Sequence, residues 1–395
     1  MEKTSHQWSP PIWILSLGAG LAPFAVTLVA PAIPSMAIDL NADSNITQLT
    51  LTTLLLSIAF GQLIAGPLSD RLGRKPLFLG GAVAYCAAGF GAALSHTIEV
   101  IIFFRVIQGF GAAAAVAMSR SIVVDFYGRD QAAGVMSTII AMMAIIPVFG
   151  TALGGVLTDF VGWQGAFWML AMTGLILTYF VNAGIQETHS PEHVFTFKDA
   201  LAGYAKLLST AKFLSSALTT AFQTAVFFAM MGFIGYSFER MEISAKEFGV
   251  WMATTSVGYI LGNLANKRLL THYRIDLITS VGAAASLASL IIMEIWHINS
   301  PSSPIGLAVP MIFVGLSNGV IIANSIIVAS SAIPRLRGSA TGLVGAMQMG
   351  AGGVSGTIAI WLGADQNTSV GIITLIVISF FSLISAWWST RLQRI

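Results

Sequence analysis

The chain has 395 residues, is 55% hydrophobic and only 9% charged, and carries a formal net charge of +2. A water-soluble domain holds roughly 25% charged residues, so this chain cannot clothe a water-facing surface and is read as an all-α integral membrane protein. A net charge so small makes no case for a nucleic-acid partner, and the single cysteine, Cys86, excludes an intrachain disulfide or a cysteine-based zinc centre.

A membrane span needs about 20 apolar residues. Lys3 precedes a first apolar run that is too long for the core of a cleaved leader and leads straight into a second, so it is read as a retained helix. Twelve runs qualify: 12–36, 47–69, 76–95, 98–124, 131–157, 163–183, 212–237, 248–267, 276–297, 305–330, 339–362 and 369–390. The polar stretch 184–211 is the one long link. It divides the chain into six spans within 1–183, a cytoplasmic linker, and six spans within 212–395.

Between the second and third runs lies Gly66-Pro-Leu-Ser-Asp70-Arg71-Leu-Gly73-Arg74-Lys75-Pro76. So tight a link makes its two helices antiparallel neighbours, and its three cations place it on the cytoplasmic side. Phased from there, both termini are cytoplasmic. Of the 19 Lys and Arg, only Arg240 and Lys246 then fall outside, and Arg105 and Arg120 fall within the fourth span; the other fifteen are cytoplasmic.

Arg105 lies about one-third of the way down the fourth span from the external end. An intramembrane arginine costs about 3 kcal/mol or more, so it either faces a cavity, where it would bind substrate or couple to protons, or orders backbone carbonyls. Arg120, nearer the cytoplasmic end, has three readings: snorkelling to water, pairing with Asp125, or contact with substrate. All 17 Asp and Glu fall at span ends or in loops, with Asp39, Asp125, Asp159 and Glu294 nearest to membrane depth. Without a mid-span carboxylate, a purely cationic substrate is disfavoured and a neutral or anionic one fits better. If protons are coupled, Asp125 or Glu294 carries them, or substrate competes with protonation elsewhere. His6, His96, His189, His193, His272 and His297 show no metal-ligand spacing. No Gly-x-x-x-x-Gly-Lys-Ser/Thr loop is present, which disfavours ATP-driven transport by this chain alone. No cofactor is implied, and no cluster of acid, base or metal ligands points to an enzyme.

The two halves echo one another. Gly66-Pro-Leu-Ser-Asp70-Arg71 recurs as Gly262-Asn-Leu-Ala-Asn266-Lys267, and Gln108-Gly109 as Asn318-Gly319, at offsets on the order of two hundred residues. Parallel repeats of this kind are a transporter architecture with its binding site between the halves.

The loop Gly66-x-x-x-Asp70-Arg71-x-Gly73-Arg74-Lys75-Pro76 resembles the loop 2–3 motif of the major facilitator superfamily. Arg105-x-x-Gln108-Gly109-x-Gly111 resembles the fourth-helix motif of its twelve-helix drug/proton antiporter branch. Gly150-Thr151-Ala-Leu-Gly154-Gly155 resembles that branch's fifth-helix motif, which has Gly-Pro where this chain has Gly150-Thr151. Trp163-Gln-Gly-Ala-Phe167 and Glu187-Thr188 resemble the flanks of its sixth helix. Gly262-Asn263-Leu and the stretch from Asn318 to Gln348 resemble the bicyclomycin- and chloramphenicol-resistance exporters.

The resemblance implies two six-helix bundles and efflux of a small molecule by alternating access. It also implies a monomer in a bacterial inner membrane, with protons as the coupling partner. It places Asp70 against the start of the eleventh helix near Gly338-Ser339 and pairs Arg74 with Asp125. Gly66, Asp70, Arg71, Gly73, Arg74, Lys75 and Asp125 would then form a conformational switch that locks the inner side in the outward-facing state. With the first, fourth, seventh and tenth helices lining the cavity, Thr27, Arg105, Gln108, Arg120, Gln223, Phe227, Asn318 and Asn324 are the substrate or coupling candidates. Nutrient uptake, or a non-transporting receptor on the same scaffold, is the alternative.

Overall fold

In a computed structural model of the protein, the described residues are 8–188 and 197–392. Lys3, His6, His189, His193 and Arg394 lie outside the described residues.

The first span is broken. Helix α1 (Ile12–Thr27) passes through a short 3₁₀ turn at Ala30–Ala32 into α2 (Ile33–Asp39). Pro31 and Pro34 open those two segments, and each removes a backbone N–H that a continuous helix would need. Next comes α3 (Ser44–Leu72), which stops at Gly73, and α4 (Arg74–Ala93) starts at once. Gly73 has φ +93°, a conformation that side chains resist, so the turn needs no further loop. The fourth and fifth spans form one continuous element, α5 (Ile98–Val161), bent at Gly128 with φ 66° and ψ 170°. Helix α6 (Gln164–Gly184) closes the first half of the chain.

The linker is not only a link. Its residues Phe197–Leu208 form an amphipathic helix, α7, that buries Leu207 against Phe213, Ala340 and Leu343. Tyr204 on α7 donates its hydroxyl to Leu63 O of α3 at 3.2 Å, and burial holds its phenol above the ordinary range. The second half follows as α8 (Ala211–Arg240), α9 (Ala245–Leu269), α10 (Ile275–Asn299), α11 (Pro304–Ser330), α12 (Arg337–Trp361) and α13 (Thr368–Leu392).

Among the described residues, ten helical segments are long and apolar enough to cross a membrane. Two more belong to the same bundle. One is the second arm of α5, apolar over Ile145–Val161. The other is α9, 25 residues long, whose mean apolarity is lowered by Lys246, Glu247, Asn263, Asn266, Lys267 and Arg268. With these the spans number twelve, as the hydropathy pattern predicts.

Small residues bring the helices close. A Cβ on Gly81 of α4 would lie 2.9 Å from Gly111 O of α5, and one on Gly111 would lie 2.6 Å from Gly81 O. In the second half, Gly258 and Gly262 of α9 press on the carbonyls of Ile312 and Leu316. Gly315 and Gly319 of α11 press back on those of Thr255 and Tyr259. Helices in lipid gain attraction from such close backbone approach, because hydrocarbon tails supply no hydrophobic drive between them.

Candidate functional site

The tight turn between α3 and α4 gathers a knot of charge. Arg74 Nη1 donates to Asp70 Oδ1 at 2.7 Å and Nε to Asp125 Oδ2 at 2.9 Å, and Ser69 Oγ is a further close partner of Nη1. Arg74 thus ties the end of α3 to the inner end of the fourth span. Glu187, just past α6, accepts the backbone N–H of Arg74 at 2.9 Å and of Lys75 at 3.2 Å. A carboxylate here satisfies free donors at the start of α4 and offsets the helix dipole. Lys75 Nζ reaches Asn182 O at 3.0 Å, and Arg71 is exposed. A Cβ on Gly73 would lie 2.5 Å from Glu187 Oε2, so glycine is required both by φ and by space.

All these contacts lie within the first half of the chain. Among the described residues Asp70 makes no bond to α12. Cβ atoms built on Gly66, Gly338 and Gly342 would meet nothing within 4 Å, whereas further along α12 Gly345 lies against Gln62 Oε1 of α3, and Leu63 joins Ala340 and Leu343 in one cluster beneath α7.

At the far end the two halves meet closely. Asp159, ending α5, accepts the backbone N–H of Lys246 at the start of α9 at 3.1 Å. Gly155 rests on Ala245 O, and a Cβ on Gly249 would lie 2.6 Å from Thr151 O. Between α3 and α12, Thr52 Oγ1 and Thr357 Oγ1 are 2.6 Å apart. Gln48 fills a notch left by Gly232 of α8 and Gly356 of α12. Ser44 donates to Asp365 at 2.7 Å, and Arg240 binds Asp365 O and Thr368.

Arg105 is fully buried. Nε donates to Thr50 O at 3.0 Å, Nη2 to Ala25 O at 3.1 Å and Nη1 to Gln108 Oε1 at 2.8 Å, while the guanidinium lies 5.7 Å from the centre of the Phe167 ring. The guanidinium therefore ties α1, α3, α5 and α6 together and does not face open space. Gln108 keeps Nε2 without a partner.

Arg120 differs. It is half-buried on the same arm and makes no hydrogen bond or ion pair among the described residues. The pairing of Arg120 with Asp125 is not present, because Arg74 occupies that carboxylate.

The other candidates are dispersed. Thr27 donates to Pro23 O at 2.9 Å and lies against Gly150. Gln223 Nε2 donates to Ser286 Oγ at 2.5 Å and leaves Oε1 unpartnered, as is Asn318 Oδ1. Asn324 exchanges two amide bonds with Asn266, at 2.9 and 3.0 Å, one turn beyond the α9–α11 glycines. Phe227 is half-buried and stands edge-on to Phe228. A surface cavity of about 250 Å³ at the far end, lined by Pro31, Asp159, Glu239 and Phe248, contains none of the site candidates.

Glu187, Asp159 and Gln48 are contributors that residue patterns did not single out for these roles. Only the Glu187-Thr188 pair carried a signal, as a helix flank.

Comparison with known proteins agrees with this architecture. The chain is 28% identical over 363 residues to a bicyclomycin resistance protein homolog of Haemophilus influenzae, covering 90% of each. It is 30% identical over 343 residues to a chloramphenicol resistance protein of Pseudomonas aeruginosa, covering 85% of this chain and 78% of that one. It is also similar to multidrug resistance protein D of Escherichia coli, at 25% identity over 91% of each chain. Among solved structures, a D-xylose-proton symporter superposes with a TM-score of 0.79 over 96% of each chain at 14% identity, a likeness of fold alone. The model of the Major Facilitator Superfamily matches residues 15–356. A sequence match over most of the length, on twelve helices packed in this way, makes the chain a member of the Major Facilitator Superfamily.

Proposed function

We propose that this transporter exports a small neutral or anionic compound across a bacterial inner membrane in exchange for protons. It works as a monomer with both termini in the cytoplasm. Residues 1–183 and 212–395 act as two rocking bodies joined by the linker 184–211.

The observation that carries the reading is the asymmetry of the contact between halves. The far side is sealed by Asp159, Gly155, Gly249, Thr52 and Thr357, whereas on the side of the charge knot Asp70 makes no bond to α12 among the described residues and open space flanks Gly66, Gly338 and Gly342. That is one end state of alternating access, with the cavity open inward. In the opposite state Asp70 swings onto the α12 N-terminus, and Gly66, Arg71, Gly73, Arg74, Lys75 and Asp125 shape the loop that carries it. Arg120 supplies the free positive charge for an anionic or strongly dipolar substrate, and Thr27, Gln108, Gln223, Phe227, Asn318 and Asn324 supply polar and aromatic walls. Arg105 sets the register of the helices around them. For proton exchange, Asp125 is held by Arg74, and Glu294, half-buried near the far end of α10 with Oε2 unpartnered, is the carboxylate to test. The names of the relatives support a drug-like cargo such as chloramphenicol or bicyclomycin.

The test is flux in inside-out vesicles with an acidic lumen. Chloramphenicol or an aromatic carboxylate should accumulate, a lipophilic cation should not, and collapsing the pH gradient should abolish accumulation. Accumulation of the cation alone, or indifference to the gradient, would refute the assignment.

A further inference from the structure

A second polar site lies inside the second half, away from the junction of the halves. Here α8, α10, α11 and α13 enclose a cavity of about 10 Å³, near the lower limit for one water-sized occupant. Its walls include Thr219 of α8, Asp276 and Thr279 of α10, and Ser325 of α11. Ser216, Ser389 and Thr390 add further hydroxyls, and Val328 and Ala386 complete the lining. So dense a set of oxygens inside a membrane bundle is costly unless something answers it.

The protons of several of these hydroxyls are already committed. Thr219 Oγ1 donates to Ser215 O at 2.8 Å, Thr279 Oγ1 to Ile275 O at 2.7 Å, and Thr390 Oγ1 to Ala386 O at 3.0 Å. What these threonines have left to offer is lone pairs. Ser216 and Ser389 share one bond at 3.0 Å. Ser325 is 2% exposed, and its Oγ has no partner. The Asp276 carboxylate is 3% exposed; Arg274, 64% exposed, grips it from the solvent side through both oxygens at 3.1 and 3.0 Å. Each carboxylate oxygen retains a lone pair beyond that fork.

We infer that this cavity binds one dehydrated sodium ion, held by the Ser325, Thr219 and Thr279 hydroxyl oxygens beside the Asp276 carboxylate. Hard cations take oxygen ligands, and a site with one carboxylate, already partly neutralised by Arg274, suits a single charge rather than calcium. The small volume excludes organic cations, and hard hydroxyl and carboxylate oxygens drawn this close favour the smaller sodium over potassium. Bound sodium pins four helices at the same depth and so stiffens the second half whichever way cargo moves.

The full-length protein in detergent should bind ²²Na⁺ saturably at one ion per chain, without competition from potassium or choline. Its melting temperature should rise with sodium chloride and stay flat with choline chloride at equal ionic strength. Ser325→Ala and Thr279→Val should each weaken sodium binding about tenfold, as loss of a bond to a charged partner would, with unchanged melting in choline. Absence of saturable ²²Na⁺ binding to the wild type would overturn the site. So would wild-type sodium affinity in both variants, which would leave the cavity to a water molecule.

Discussion

Asp159 accepts the backbone N–H of Lys246, so the acid that ends α5 caps the first turn of α9. By sequence resemblance Asp70 would do the same for α12 at the opposite face. The two carboxylates would then be alternative latches, one for each side. A carboxylate at a helix N-terminus contributes about 0.3–1 kcal/mol, or roughly a two- to fivefold change in a conformational ratio. Asp159→Asn should therefore raise external thiol labelling of a Thr357→Cys reporter, in a Cys86→Ser background, by that factor. Labelling at the unaltered rate would remove Asp159 from the latch.

Arg120 and Arg105 should separate binding from folding. Arg120 has no hydrogen-bond or ion-pair partner among the described residues, so Arg120→Ala should leave the melting temperature unchanged while weakening binding of an anionic substrate. A partly desolvated charge–charge contact makes that loss about tenfold or more. Equilibrium binding and a thermal melt on the same preparation decide it.

Arg105→Lys should do the reverse. A lysine cannot reach Thr50 O, Ala25 O and Gln108 Oε1 together, and each buried acceptor left unsatisfied costs about 1–3 kcal/mol. Melting should fall by several degrees and transport should be lost with it. A variant that melts like the wild type yet fails to bind substrate would return Arg105 to the cavity.

Gly73→Ala should destabilise the α3–α4 turn by about 1–3 kcal/mol through its positive φ, with added repulsion against Glu187. Glu187→Gln keeps the shape and loses the charge, so its effect should be smaller. Protease sensitivity between Leu72 and Pro76 reports the difference.

The buried Asn266–Asn324 pair offers a double-mutant cycle. Either Asn→Leu change alone strands an amide and should cost about 1–3 kcal/mol. The double change to leucine removes both polar groups and should recover much of the loss. Additive losses in thermal melts would show that the two amides act independently.

Much of the fold was legible because lipid imposes a simple rule on it: each crossing needs a long apolar run, and the loops sort by charge. The two crossings least apparent by apolarity show where that rule blurs. Helix α9 turns Asn266 onto Asn324 of α11 and Asn263 back onto its own Tyr259 O, so this polarity is spent within the bundle rather than on water. The α4–α5 and α9–α11 contacts rest on glycines that hydropathy alone does not single out. The role of Glu187 was not legible, since it depends on where the chain after α6 returns, and α7 was overlooked because a short amphipathic helix resembles a polar loop. Local pattern also cannot sort Arg105 from Arg120. Both are cations on one apolar helix, and only the placement of Thr50 O, Ala25 O and Gln108 tells a tie from a free charge.

The backbone-to-backbone approach of α9 and α11 limits how the protein can move. With carbonyls pressed against glycines on both sides, neither helix can roll or slide past the other without collision. They travel as one plank, and the strain of each transport cycle falls on the contacts between the halves, α3 with α12 and α5 with α9.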